Sequence, residues 1–398
     1  MASTQVVVRP DKVLVRPKTP GQRDLSIDYL RTTLILVVVA LHSAQPYTSG
    51  DHSHWRNMIL SDGTRLPCFD YVLNFFDTFF MSLFFFISGL FIYPALRRHG
   101  KAHFLRERVL RLGVPFAFSV AFLLPIAFYP SWRLTGNAGF ARLYLLLPAR
   151  DLPIGPPWFL WELLFFDFAL ILLLVALQPW IPRIAHSMTR LRNRPITASV
   201  TMFFLSAAAY LPLNHHFGPG TWTDLFAWPF SFQTSHIGLY ALWFLFGFIV
   251  GVPDIENGLI ARNGSLARHW KRWFFGSIVL FNVVWQVPRW IAAHPLTFPH
   301  ARGLALLYVV TCVASSFGFL ALFRGIQLPS LRWMKSLGRS AYSIYLVNYV
   351  FIAWMQFIVW KRPLETGLKF LFVFVTTMLL SWLTAQALLR VPVIREIL

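Results

Sequence analysis

The chain has 398 residues, 56% of them apolar and only 13% charged, with a mean hydropathy of +0.56. Soluble domains run near 45–50% apolar and about 25% charged, so this composition excludes an ordinary soluble protein and points to the bilayer. The 36 Lys and Arg against 16 Asp and Glu leave a formal charge of +20, and where that charge sits decides whether it means nucleic acid or membrane topology.

Stretches of about 20 mostly apolar residues, the length that crosses a hydrocarbon core, occur at 25–44, 71–93, 112–129, 158–180, 196–213, 236–252, 273–291, 304–323, 341–360 and 368–389. The expectation is an all-α, polytopic bundle of about ten transmembrane helices. An even number of crossings puts both termini on one side. Segments on that side hold 25 of the Lys and Arg, the opposite segments hold 10, and Arg31 lies inside the first span. The positive-inside rule then places both termini in the cytoplasm. Topology accounts for the basic charge, so nucleic-acid binding is not expected.

The chain divides into a basic, disordered cytoplasmic tail (1–24), a membrane domain (25–390) and a short cytoplasmic tail (391–398). The first apolar run begins late and lacks a small-residue cleavage pattern, so it reads as a retained anchor. Cys68 falls in the first outer loop and Cys312 inside the eighth span. No disulfide between them and no metal site are expected, because nothing has metal-ligand spacing. His52, His54, His215 and His216 fall in outer loops. Oligomeric state has no signal in the sequence.

The first span, "DYLRTTLILVVVALH", carries Asp28, Arg31 and His42. Positions 31 and 42 are eleven residues apart, close to three helical turns, so they share one face at a separation of roughly 16 Å. Asp28 precedes Arg31 by three and sits on nearly the same face. Ionisable groups in a membrane usually face a protein interior or a wet cavity and serve function. A surface ion pair and an interfacial histidine are the plainer readings.

After the second span, "FLRERVLRLGVPF" places Arg108 and Arg111 three apart, with Arg106 nearby and Glu107 in reach of Arg111. Such a fork suits phosphate, since guanidinium groups present planar, bidentate donors; one more positive-inside cluster is the alternative. In the fourth span Trp158 and Glu162 are four apart, although aromatic-belt anchoring equally explains the tryptophan. Tyr342, Tyr345 and Asn348 recur at three-residue spacing on one face of the ninth span, suited either to lining a cavity or to bonding between helices. Ser88 and Gly89 suit close helix packing.

Five stretches together resemble the integral-membrane acyltransferase 3 family: "SIDYLRTTLILVVVALH" from Ser26, "FFMSLFFFISGLFIYPAL" from Phe79, the Arg-x-x-Arg of Arg108 and Arg111, "GPPWFLWELLFF" from Gly155, and "LGRSAYSIYLVNYVF" from Leu337. They run in the family's order from the first span to the ninth. The family includes O-acetylases of surface polysaccharides and succinyl-transferring proteins of periplasmic glucans.

The resemblance implies a multi-pass protein of the bacterial inner membrane that moves an acyl group from cytoplasmic acyl-CoA to a hydroxyl of an outer glycan, glucan or glycolipid. Acyl-CoA is then a donor substrate, with no tightly bound cofactor. By position the family's first-helix histidine is His42 and its Asp-x-x-Arg is Asp28 and Arg31. His42 and Asp28 become the catalytic candidates, and Arg31, Arg108 and Arg111 the donor-binding ones. Tyr345, Asn348, Trp158 and Glu162 are the candidates for substrate contact. Relatives often carry Tyr-Leu-x-His in the late span, where this chain has Asn348; asparagine takes no proton, which leaves His42 as the candidate sole base. A secondary transporter or exporter without transferase chemistry, and a scaffold with a degenerate site, are the competing classes.

Overall fold

The first helix begins where Asp24 caps it. The Asp24 carboxylate accepts from the Ser26 backbone N–H at 3.1 Å and from its hydroxyl at 2.7 Å, satisfying donors that a helix start leaves orphaned. The computed structural model describes residues 24–49, 60–61, 63–134, 136, 139–146, 154–293, 300–329 and 331–397. The expected disordered tail, apart from Asp24, and the loop residues His52 and His54 lie outside them.

Seventeen α-helices follow one another among these residues. They are α1 (Leu25–Ala44), α2 (Pro67–Asp77), α3 (Phe80–Leu90), α4 (Ile92–Arg108), α5 (Val114–Phe118), α6 (Leu124–Leu134), α7 (Phe140–Leu146) and α8 (Trp158–Leu177). Then come α9 (Ile181–Leu191), α10 (Pro195–Phe217), α11 (Ile237–Gly251), α12 (Ser265–Arg268), α13 (Trp270–Ala293), α14 (His300–Gly325), α15 (Arg332–Val359), α16 (Thr366–Leu388) and α17 (Pro392–Ile397). Between α10 and α11 a small antiparallel hairpin pairs β1 (Trp222–Asp224) with β2 (Ser231–Gln233), Trp222 opposite Gln233.

Every predicted span falls on helix, and among the described residues eight helical runs are long and apolar enough to cross a membrane by themselves. The sixth predicted span is α11, 15 residues or roughly 22 Å at 1.5 Å per residue, short of a hydrocarbon core of about 30 Å. It is wrapped by neighbours rather than lipid, with Trp243, Phe244 and Phe248 buried. The seventh lies on α13, a 24-residue helix with Arg289 inside the apolar run. The second span is two helices, α2 and α3, interrupted at Thr78 and Phe79. The short segment after the last span carries α17.

Two features set the shape around the cavity described below. Helices α3 and α11 make the most extensive contact in the protein. A Cβ at Gly89 would collide with the Phe244 carbonyl, one at Gly247 with that of Phe86, and one at Gly251 with that of Leu90. Small residues therefore let backbone rest on backbone. Beside them, α4, which packs on both α3 and α11, is kinked at Gly100, whose φ of 77° is left-handed, and the run from α4 to α6 is loosened by π-helical turns at Val109–Gly113 and Ser119–Leu123.

Candidate active site

Helical periodicity gives α1 a continuous face, and Arg31, Ile35, Val38 and His42, spaced by four, three and four, all line one cavity of about 350 Å³. Its other walls come from α3 (Met81, Phe84, Ser88), the α4 end with its π turn (Arg108, Arg111), α8 (Trp158, Phe159) and α15 (Arg339, Tyr342, Tyr345). Trp222 and Gln233, paired in the hairpin, lie across the end that Trp158 and Tyr240 share.

At the end nearer the chain termini stand four arginines. Arg31 is 3.9 Å from the Asp28 carboxylate, both partly exposed. Arg108 lies over the Phe104 ring at 5.0 Å, and its Nε is 3.3 Å from Asp167, whose side chain is fully buried on α8. Arg111 sits in the π turn, a distortion frequent at functional sites because it rotates side chains out of α-helical register. Its backbone carbonyl accepts from the Tyr342 hydroxyl. Glu107 pairs with His103 at 3.5 Å rather than with Arg111. Arg339 lies three residues before Tyr342 on α15, hence on nearly the same face.

His42 faces the opposite end. Its imidazole is hydrogen-bonded to Gln45 and meets the Tyr349 ring edge-on at 5.7 Å between centroids. Its backbone carbonyl accepts from Gln356 at 2.9 Å. Asp77, at the C-terminal end of α2, lines the same cavity and is near enough for its charge to be felt at the imidazole.

The remaining sequence candidates divide. Trp158 lines the cavity, stacked on Tyr240 at 5.9 Å and edge-on to Trp222 at 5.5 Å. Tyr345 also lines it and donates to the Pro156 carbonyl at 2.5 Å. Glu162 is fully buried behind that wall, with neither carboxylate oxygen hydrogen-bonded among the described residues. Asn348 is buried off the lining and returns its amide to the α15 carbonyls of Ile344 and Tyr345, at 3.1 and 2.7 Å. Asp28 serves Arg31, since fourteen residues of helix separate it from His42 by roughly 21 Å. Ser88 lines the cavity while Gly89, beside it, does the packing. Among the described residues no group of three or more His, Cys, Asp or Glu is placed to hold a metal ion.

Asp77, Asp167 and Arg339 were not among the sequence candidates. Arg339 had a usable signal, its three-residue spacing from Tyr342. The two aspartates stand alone in apolar surroundings, and only the meeting of helices reveals their partners.

Fold and cavity define a polytopic, all-α membrane protein with a polar site sunk among its helices. The profile of an acyltransferase-domain family matches residues 24–386, and the chain belongs to that family, acyltransferase 3. It is an acyltransferase, acting on groups other than aminoacyl ones. No curated protein and no solved structure matches it.

Proposed function

We propose that the protein transfers an acyl group, such as acetyl or succinyl, from cytoplasmic acyl-CoA to a hydroxyl of a glycan, glucan or glycolipid beyond the membrane. The reading places it in the bacterial inner membrane with both termini in the cytoplasm. What carries it is a single cavity with arginines at the basic, terminal end of the bundle and His42 at the other. The charge asymmetry of the loops supports the orientation.

Coenzyme A suits such a cavity because it joins a phosphate-rich head to a thin arm about as long as the stripe from Arg31 to His42. The arginine end of the cavity receives the phosphates, and the thioester comes to rest near His42. Neutral imidazole takes the acceptor's hydroxyl proton as that oxygen attacks the thioester carbonyl. The C–O bond forms, the C–S bond breaks, and the proton passes to the departing thiolate, so nothing crosses the membrane but the acyl group. General-base help of this kind is worth about 10² to 10⁴ in rate. At the acceptor end, Trp158, Trp222 and Tyr240 offer flat apolar faces and Gln233 an amide, the combination that sugar rings with their hydroxyls require.

The test is incubation of the purified protein with labelled acetyl-CoA or succinyl-CoA and an outer-surface glycan acceptor. Wild type yields labelled acceptor, and His42→Ala lowers the rate at least about 100-fold. Equal labelling by the two proteins removes His42 from the chemistry. Movement of the acceptor across vesicles without any acylated product makes the protein a transporter instead.

A further inference from the structure

The four cavity arginines are not equivalent. Asp28 answers Arg31, and Asp167 answers Arg108 from a fully buried position. Among the described residues no carboxylate forms an ion pair with Arg111 or Arg339, and both are exposed at the cavity. A guanidinium already facing a buried carboxylate has spent most of its field there, whereas an unanswered one keeps its donors for an incoming anion. The spacing of the unanswered pair is also fixed. Tyr342, one turn from Arg339, donates its hydroxyl to the Arg111 carbonyl, tying α15 to the π turn.

We propose that Arg339 is a phosphate-binding residue for the nucleotide head of the donor, acting with Arg111 across two helices, while Arg108 and Asp167 form a strut that shapes the site. This rests on the acyl-CoA reading above. It shifts the grip from an Arg-x-x-Arg fork on one helix to a pair bridging two elements. Only the fold brings that pair together, since 228 residues of sequence separate Arg111 from Arg339.

The experiment measures binding of coenzyme A and of 3′-dephospho-coenzyme A to the purified full-length protein, alongside steady-state transfer and thermal unfolding. Arg339→Gln and Arg111→Gln each weaken coenzyme A binding about 10- to 100-fold, the worth of a charged hydrogen bond. Each raises KM with little change in kcat, and Arg339→Lys recovers most of the loss. Arg108→Gln lowers the melting temperature, because it leaves the buried Asp167 carboxyl without its partner, and changes affinity less.

Unchanged coenzyme A affinity in Arg339→Gln overturns the inference while leaving the acyl-CoA reading intact. A larger affinity loss in Arg108→Gln at unaltered melting temperature overturns the division of labour. If wild type binds no coenzyme A, both the inference and the reading beneath it fall. A protein that binds coenzyme A through Arg339 yet transfers nothing leaves the inference standing and sinks the reaction.

Discussion

Asp24 shows how much a single carboxylate organises. Burial opposes its charge, but the Arg324 guanidinium beside it and hydrogen bonds from Ser26, Arg324 and Arg262 hold its carboxyl well below the ordinary value of 3.8. Arg324 is itself fully buried, 2.5 Å from Asp24 and 2.8 Å from Glu256, with its Nε donating to the Ile260 carbonyl at 2.6 Å. The cap of α1 is thus fastened to α14 and to the loop before α12. Because the folded group titrates lower than the unfolded one, its contribution is complete above about pH 4 and disappears as pH falls through the folded value. Asp24→Asn should cost about 3 kcal/mol, the usual price of breaking a buried pair. Melting curves in detergent should show a constant gap from wild type at neutral pH that narrows only in strong acid. A gap that stays open down to the lowest pH the protein survives would show that the charge is not what matters.

Among elements, the seam between α3 and α11 makes the sharpest claim. Gly247→Ala should cost about 1–3 kcal/mol, because a methyl group has to push two backbones apart. Thermal unfolding would check this, and an alanine variant as stable as wild type would show that the seam is looser than the geometry says. Gly89 was readable in advance as a packing residue. Its counterparts Gly247 and Gly251 were not, because a glycine in an apolar run says nothing about which helix it faces. The same limit governs the site. The 3.6-residue period fixed Arg31 and His42 on one face of α1, and periodicity is a property of one helix. That Arg108 meets Asp167, or Arg111 meets the helix of Arg339, depends on which faces come together. The break between α2 and α3 and the π turn after Phe118 were equally hidden, since the sequence is apolar on both sides of each.

For the molecule as a whole, the spans were legible because the bilayer imposes both length and composition on them. Of the two that stand apart, α11 is apolar but too short, its neighbours taking the place that lipid takes elsewhere, and α13 carries Arg289 within its apolar run. Orientation can be checked through the free thiols, since Cys68 is exposed and Cys312 is buried. A membrane-impermeant maleimide should label Cys68 in right-side-out vesicles and not in inverted ones, and the opposite pattern would reverse the topology. Backbone seated on backbone also leaves no lubricating layer of side chains between α3 and α11. That pair is then the rigid chassis of the protein, and any breathing that admits a substrate falls to the run from α4 to α6, where the bend at Gly100 and the widened turns beside Arg111 and after Phe118 supply soft joints.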